Sequence, residues 1–143
     1  MTTDDIINEW NQDAPISELE LGRSARTIPE LHSKYYAMYI DAKREQAKAR
    51  ILLKRLKSEK TEFLINPSME VAQEKSWDIP DRKVLKGEIK DYLEGDSDIS
   101  KLEYKVMECE LKVETLQEIL KQIHNRNWII KAALDDRAFL HGE

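Results

Sequence analysis

Residues 102–134, LEYKVMECELKVETLQEILKQIHNRNWIIKAAL, carry the most regular pattern in this chain of 143 residues. Seam positions recur in alternating steps of four and three, and nine of the ten are apolar. This spacing lines one side of a helix, as in a coiled coil, where a polar seam residue such as Asn127 can fix the register. We predict a helix from Ile99 to about Phe139 with the seam Leu102, Val106, Cys109, Val113, Leu116, Leu120, Ile123, Asn127, Ile130 and Leu134.

A second long helix is predicted over residues 30–65, where a similar but weaker pattern is interrupted by Glu45 and Glu59. It ends before Pro67, because proline disfavours helical geometry in the residue that precedes it. Two long helices joined by a linker predict an all-α fold: an elongated antiparallel helical hairpin with coiled-coil-like packing and short accessory helices. The seam of this second helix comprises Leu31, Tyr35, Met38, Ala42, Ala49, Leu52, Leu56 and Phe63.

The remaining segments are shorter and less regular. Residues 1–29 are predicted to hold an N-terminal helix followed by a linker, because Pro and Gly punctuate the stretch after the helix. Residues 66–98 are predicted to hold a linker and a short helix from Lys83 to Glu94. With a basic long helix at 30–65 and a C-terminal assembly helix at 99–143, we predict a single helical domain over residues 1–143.

The composition argues against several classes of protein. Charged residues make up 36% of the chain and hydrophobic residues 41%, a mixture that is typical of long helices. The single cysteine, Cys109, excludes an internal disulfide and fits a reducing cytosol. The start, MTTDDIINEW, is acidic where a targeting segment is basic and then apolar. No apolar run reaches the roughly 18 residues of a membrane span, so we expect a cytoplasmic protein without a membrane partner.

The sequence shows no catalytic or metal-binding arrangement. His32, His124 and His141 lack metal-ligand spacing with one another and with Cys109. The four glycines are scattered, so a phosphate-cradling glycine loop is not expected. We predict that the protein is not an enzyme and that it uses no cofactor or metal ion.

Residues 43–60 contain eight basic residues and two acidic ones, although the whole chain has a net charge of −5. On a helix the basic side chains form two neighbouring stripes with Ile51 between them, opposite the apolar seam. The alternative is an ordinary solvated face, but such faces usually mix both signs of charge. We therefore interpret this surface as one that contacts the phosphates of a polyanion. The candidate contacts are Lys43, Arg44, Lys48, Arg50, Lys54, Arg55, Lys57 and Lys60.

The segment WIIKAAL, residues 128–134, is apolar on nearly every side of the predicted helix. A helix that is apolar all round must be buried all round, and one partner helix covers only one side. We therefore predict that the C-terminal helix also joins copies of the chain into a homo-oligomer. The alternative is that an N-terminal helix with Ile6, Ile7 and Trp10 folds over this segment. The candidate assembly residues are Leu116, Leu120, Ile123, Trp128, Ile130 and Leu134.

Four stretches add a family resemblance: IINEWNQDAPIS (6–17), PELHSKY (29–35), VLKGEIKDYLEGDSDI (84–99) and NRNWIIKAALDDRAFLHG (125–142). Together, and in this order, they resemble the UvsY family of recombination mediators of T-even-type bacteriophages. The resemblance implies single-stranded DNA binding through the basic helix, and a ring of six or seven subunits assembled through the C-terminal helix. It also implies help to a RecA-like phage recombinase in displacing the phage single-strand-binding protein, in the cytoplasm of the infected bacterial host.

One stretch departs from the family pattern. The family often shows paired basic residues that lead into an aromatic, glycine-ended turn, whereas Lys57-Ser58-Glu59-Lys60 is followed here by TEFLINP. Lys57 and Lys60 are the candidates for that role. The alternative function is a structural coiled-coil scaffold or adaptor that does not bind DNA and whose basic face serves a protein partner.

Overall fold

The computed structural model describes residues 1–142, which form helices, turns and loops. The helices are α1 (Thr3–Asp13), α2 (Leu21–Arg26), α3 (Ile28–Ile65), α4 (Met69–Lys75), α5 (Ile89–Glu94) and α6 (Ser97–Leu140), with a 3₁₀ turn at Lys86–Glu88. The long helices α3 and α6 are the two that the sequence predicts. No β-strand occurs among the described residues, and the prediction of an all-α fold is confirmed.

Local hydrogen bonds set the start of α6. Asp96 caps the first turn, because its Oδ1 accepts from the backbone N–H groups of Asp98 (2.9 Å) and Ile99 (3.0 Å). The helix therefore begins at Ser97, two residues before the predicted start, and it ends at Leu140. Residue 143, the last residue of the predicted assembly segment, lies outside the described residues.

The connecting segments contain two helices that the sequence did not predict, α2 and α4. The helix α4 lies within the predicted linker and begins at a cap in which Ser68 Oγ accepts from the N–H of Val71 at 3.4 Å. It ends at Lys75, and the next residue, Ser76, has a φ of 57° in the left-handed region that commonly terminates a helix. The helix predicted over residues 83–94 is shorter than expected and consists of the 3₁₀ turn and α5.

The chain separates into two compact units, and both long helices contribute to each. Unit 1 comprises residues 1–45 and the chain from Glu108 onward, and unit 2 comprises residues 46–107. In unit 2 the two long helices run antiparallel, since Lys57 pairs with Glu103 and Lys60 pairs with Asp96. The predicted helical hairpin is confirmed. The single helical domain over residues 1–143 remains a prediction.

In unit 1, α1 packs against both long helices and closes their core. Ile6 and Trp10 contribute from α1, and the ring of Trp10 meets that of Tyr35 edge-on with the centroids 5.5 Å apart. Aromatic pairs of this geometry stabilise a core beyond the area that they bury. The buried cluster comprises Ile6, Tyr35, Ala42, Val113, Leu116, Ile119 and Ile123.

Hydrogen bonds fasten the end of α1 to the same core. Tyr35 Oη donates to Asp13 Oδ2 at 2.8 Å, and Lys34 Nζ donates to the same oxygen at 2.7 Å. Burial alone would raise the pKa of Asp13, but these donors outweigh it and lower the pKa. The buried guanidinium of Arg126, on α6, donates to the carbonyl oxygen of Ala14 at 2.8 Å. A cation is favourable there, because the free carbonyl groups at a helix C-terminus carry partial negative charge.

Candidate nucleic-acid interface

The exposed side of α3 in unit 2 carries five of the eight predicted basic contacts. The other side of the helix is buried through Gln46, Ala49 and Phe63, whose exposed fractions are 7%, 2% and 5%. The basic side chains point away from these residues and reach solvent. Lys43 and Arg44 are also exposed, on the part of α3 that belongs to unit 1. The five exposed contacts in unit 2 are Lys48, Arg50, Lys54, Arg55 and Lys57; we call them the basic surface.

The two acidic residues of the basic stretch are engaged by lysines outside it. In unit 1, Glu45 accepts a hydrogen bond from Lys112 of α6 at 2.9 Å. In unit 2, Glu59 accepts one from Lys75 of α4 at 2.9 Å. Because these carboxylates are paired with other cations, they do not neutralise the basic side chains, and the local excess of positive charge remains.

Among the exposed basic residues of the stretch, Lys57 and Arg44 form ion pairs that are weak. Lys57 Nζ lies 3.3 Å from a carboxylate oxygen of Glu103, and Arg44 lies 3.8 Å from one of Asp41. All four side chains are exposed to solvent. Exposed ion pairs contribute about 0–1 kcal/mol, because water and salt screen them. A polyanion can therefore replace these partners with little loss of stability.

Lys60, the eighth predicted contact, is not part of this surface. Only 8% of the residue is exposed, and its ammonium group donates to Asp96 at 2.7 Å and to Asp98 at 3.1 Å. It also lies 4.5 Å from the centre of the Trp77 ring. Burial lowers the pKa of Lys60, but the two carboxylates outweigh burial and raise it, so the group stays charged. The structure thus gives Lys60 a stabilising role between α3 and the start of α6, which corrects its assignment to the DNA contacts.

Two apolar residues are exposed among the basic side chains. Ile51 is 57% exposed, in line with its predicted place between the basic stripes. Leu52 is 44% exposed, although the seam prediction placed it in the interior. Leu52 follows the buried Ala49 by three residues, which corresponds to a rotation of about 300° around the helix axis. Leu52 therefore points about 60° away from Ala49 and lies at the edge of the buried side.

The six predicted assembly residues divide into two groups. Leu116, Leu120 and Ile123 belong to the core that α1 helps to close. This core covers α6 before residue 128, whereas the alternative prediction placed α1 over residues 128–134. The three core residues stabilise the single chain. Trp128 and Leu134 are exposed, at 69% and 44%, on different sides of α6. The buried or half-buried group is Leu116, Leu120, Ile123 and Ile130.

The last turns of α6 carry large apolar side chains in solvent. Phe139 and Leu140 are 82% and 72% exposed, and the sequence pattern missed them because the seam ends at Leu134. Helical spacing places them on the same side of α6 as Trp128 and Ile129. Large exposed apolar side chains on one side of a helix can serve as an association site, although here two exposed aspartates, Asp135 and Asp136, lie between the two apolar pairs. We call this group the α6 apolar patch; it comprises Trp128, Ile129, Phe139 and Leu140.

Two kinds of feature do not occur among the described residues. No cluster of His, Cys, Asp and Glu side chains within residues 1–142 is arranged to hold a metal ion. Among the helices of the same residues, none combines the length and the apolar character that crossing a membrane requires. Cys109 is buried in the seam of α6, where its thiol packs as a small apolar group.

Comparisons with known proteins show which family this sequence and this fold resemble. Residues 9–143 match the family described as "Recombination, repair and ssDNA binding protein UvsY". The fold is similar to the crystal structure of the bacteriophage T4 recombination mediator protein UvsY, with a TM-score of 0.81 and 20% identity over 99% of this chain and 98% of that one. A search of curated protein sequences finds no match. Because the family match spans nearly the whole chain, the resemblance noted in the sequence is confirmed, and this chain belongs to the UvsY family.

Proposed function

We propose that this protein is a single-stranded DNA-binding recombination mediator that acts as a homo-oligomer in the cytoplasm of the infected bacterial host. It helps to load a RecA-like phage recombinase onto DNA coated by the phage single-strand-binding protein, in homologous recombination, replication and repair. The observation that carries the proposal is the basic surface of α3, which lies in a stretch whose two acidic residues are paired elsewhere. The family description, which names single-stranded DNA binding, supports the choice of ligand.

The basic surface suits a flexible polyanion. Lys48 and Lys57 are nine residues apart, so the surface extends for about 14 Å along the helix axis. Each phosphate that a cation contacts releases counterions, and the affinity therefore falls as the salt concentration rises. Phosphate contacts carry no sequence information, so the protein binds single strands of any sequence.

Assembly multiplies these contacts. The α6 apolar patch joins copies of the chain, in a ring of six or seven subunits, and each copy contributes one basic surface. Once one copy has bound a strand, the next copy meets the same strand at a high effective concentration, so weak single contacts add up to a high avidity. A strand held in this way is kept accessible to the recombinase while the single-strand-binding protein leaves.

The binding proposal is tested by a triple variant in which Lys48, Lys54 and Arg55 of the basic surface are replaced by Gln. Loss of three phosphate contacts should reduce the slope of log affinity against log salt for oligo-dT by about 2, since each contact on a single strand contributes about 0.7. The measurement is fluorescence anisotropy of labelled oligo-dT and of a matched duplex at several salt concentrations.

The matched control changes Lys83, Lys101 and Lys105 to Gln. These three exposed lysines of unit 2 lie outside the basic surface, and their loss changes the net charge of the chain by the same amount. The control should keep the wild-type slope. Equal slopes in both triple variants would contradict the assignment of the surface. No binding of oligo-dT by the wild-type protein at low salt would favour the alternative function, a structural scaffold or adaptor.

The loading step needs its own measurement. Recombinase filaments should form faster on DNA coated by single-strand-binding protein when the wild-type protein is present, and the triple Gln variant of the basic surface should lose most of this acceleration. The triple control should retain it. Acceleration that survives in the variant would show that loading depends on protein contacts alone.

A further inference from the structure

Ile51 lies at the centre of the outward side of α3 in unit 2. A step of two residues turns a helix by about 200°, so Ile51 lies almost opposite Ala49, which is 2% exposed. Ile51 itself is 57% exposed. Its side chain therefore projects from the side of the helix opposite the buried Ala49.

Cations surround this apolar side chain. Residues three and four positions apart adjoin on a helix surface, with about 5–6 Å between their Cβ atoms. By this spacing Lys48, Lys54 and Arg55, all exposed, are the neighbours of Ile51. Leu52, 44% exposed, adjoins Lys48 and Arg55 and widens the apolar spot. A polyanion that is drawn to these three cations must therefore pass over Ile51.

The chemistry of the ligand decides what Ile51 meets. A single strand presents phosphates together with the apolar faces of unstacked bases, whereas a duplex keeps those faces inside its stack. We propose that Ile51, with Leu52 beside it, packs against bases of the bound strand while Lys48, Lys54 and Arg55 hold its phosphates. This contact makes the surface prefer single strands to duplexes. The inference rests on the proposed DNA-binding function and adds a base contact to it.

A second copy of the chain is a poorer occupant of this spot. Another copy presenting the same side of α3 would bring its own lysines and arginine against these, and like charges in contact repel. A nucleic acid strand brings the opposite charge to the cations and an apolar face to Ile51. Charge complementarity therefore favours the strand.

The test compares two labelled strands of equal length, oligo-dT and an oligomer of abasic sites, which carry the same phosphates but differ in bases. The wild-type protein should bind oligo-dT about fivefold more tightly, as expected when part of one aliphatic side chain is buried. Ile51→Ala should lose most of this preference and should bind the abasic strand as the wild type does. Ile51→Tyr should increase the preference, because an aromatic ring stacks on bases.

The matched control is Met107→Ala. Met107 is an apolar residue of α6 in unit 2, is 51% exposed, and has Glu103 and Glu110 as its helical neighbours in place of cations. Its variant should keep the wild-type preference for oligo-dT. Native mass measured for every variant separates an effect on bases from an effect on assembly.

The outcomes distinguish a failure of the base contact from a failure of the proposed DNA-binding function. If the wild type binds both strands equally well, Ile51 does not meet bases and the inference fails, while phosphate binding stands. If Ile51→Ala weakens both strands alike or changes the native mass, Ile51 belongs to an interface between copies and the inference also fails. If the wild type binds neither strand, the proposed DNA-binding function itself is wrong.

Discussion

Lysines on the inner and outer sides of α3 in unit 2 have different roles. Lys60, on the inner side, is 8% exposed and donates to two carboxylates, whereas Lys54, six residues earlier, is exposed. Six residues correspond to a rotation of about 120° around the helix, which separates the two lysines. The direction of a lysine on its helix thus decides whether its charge stabilises the fold or is offered to a ligand.

The same contrast recurs on α6 in unit 1. Ile130 is 3% exposed and Trp128 is 69% exposed, although both lie in one short apolar segment. A two-residue step places them on nearly opposite sides of the helix. The inner residue belongs to the fold of the single chain, and the outer one is available for association.

The largest expected effect comes from placing a charge at each of these two positions. Ile130→Asp should destabilise the chain by about 4 kcal/mol or more, because it removes a buried apolar side chain and buries an unpaired carboxylate. Trp128→Asp should reduce the native mass, while the dissociated chain stays folded, because the substituted side chain lies in solvent. Urea unfolding followed by circular dichroism, and native mass, measure the two effects. A Trp128→Asp variant with the wild-type mass would remove the α6 apolar patch from the interface.

A smaller effect is expected from the two lysines of α3. Lys60→Met should cost about 3 kcal/mol in urea unfolding, because it leaves the carboxylates of Asp96 and Asp98 without their cation. Lys54→Met should change stability by no more than about 0.5 kcal/mol. In DNA binding the order reverses: Lys54→Met should weaken binding to oligo-dT about fivefold at 0.1 M salt through the loss of one phosphate contact, and Lys60→Met should keep the wild-type salt slope. Equal losses of stability in the two variants would contradict the distinction between the two sides.

The smallest expected effect is a dependence on pH of the stability that Lys60, the inner lysine, contributes. Burial alone would raise the pKa of Asp96, but the hydrogen bonds from Lys60 and from the N–H of Ile99 outweigh it and lower the pKa below 3.8. A carboxyl group with a lowered pKa in the folded state stabilises the fold above pH 4 or so, and this contribution is lost as the pH falls through the lowered value. The difference in unfolding free energy between the wild type and Lys60→Met should therefore narrow from about pH 6 to about pH 3. A difference that stays constant over this range would assign the loss to packing and not to charge.

The sequence pattern predicted what depends on local spacing. Both long helices were predicted to within two residues of their observed ends, because long apolar periodicities are strong signals. The short helix α4 was missed, since seven residues carry too little periodicity. The five residues of the basic surface were expected to face solvent and do so, whereas Lys60 is buried. Its partners Asp96 and Asp98 lie 36 and 38 residues away along the chain. No local pattern reports such a pairing.

The split of the assembly segment has a similar cause. Periodicity indicates that Trp128 and Ile130 point in different directions, but which side of α6 the rest of the chain covers is a tertiary property. Ile6 and Trp10, far away in sequence, pack with Leu116 and Ile123 on the inner side of α6 in unit 1. The pattern therefore indicated an excess of apolar surface without identifying which part of it remains exposed.

The hydrogen bond from Arg126 to Ala14 has a consequence for the order of folding. It joins residues that are 112 positions apart, and the loss of chain entropy on closing a loop grows with the length of the loop. The helix that it fastens, α1, has 11 residues, which is too short to be stable alone in water. We therefore expect α1 to dock after the parts of α3 and α6 that it contacts have formed, and to lose its contact with Arg126 when that part of α6 unfolds.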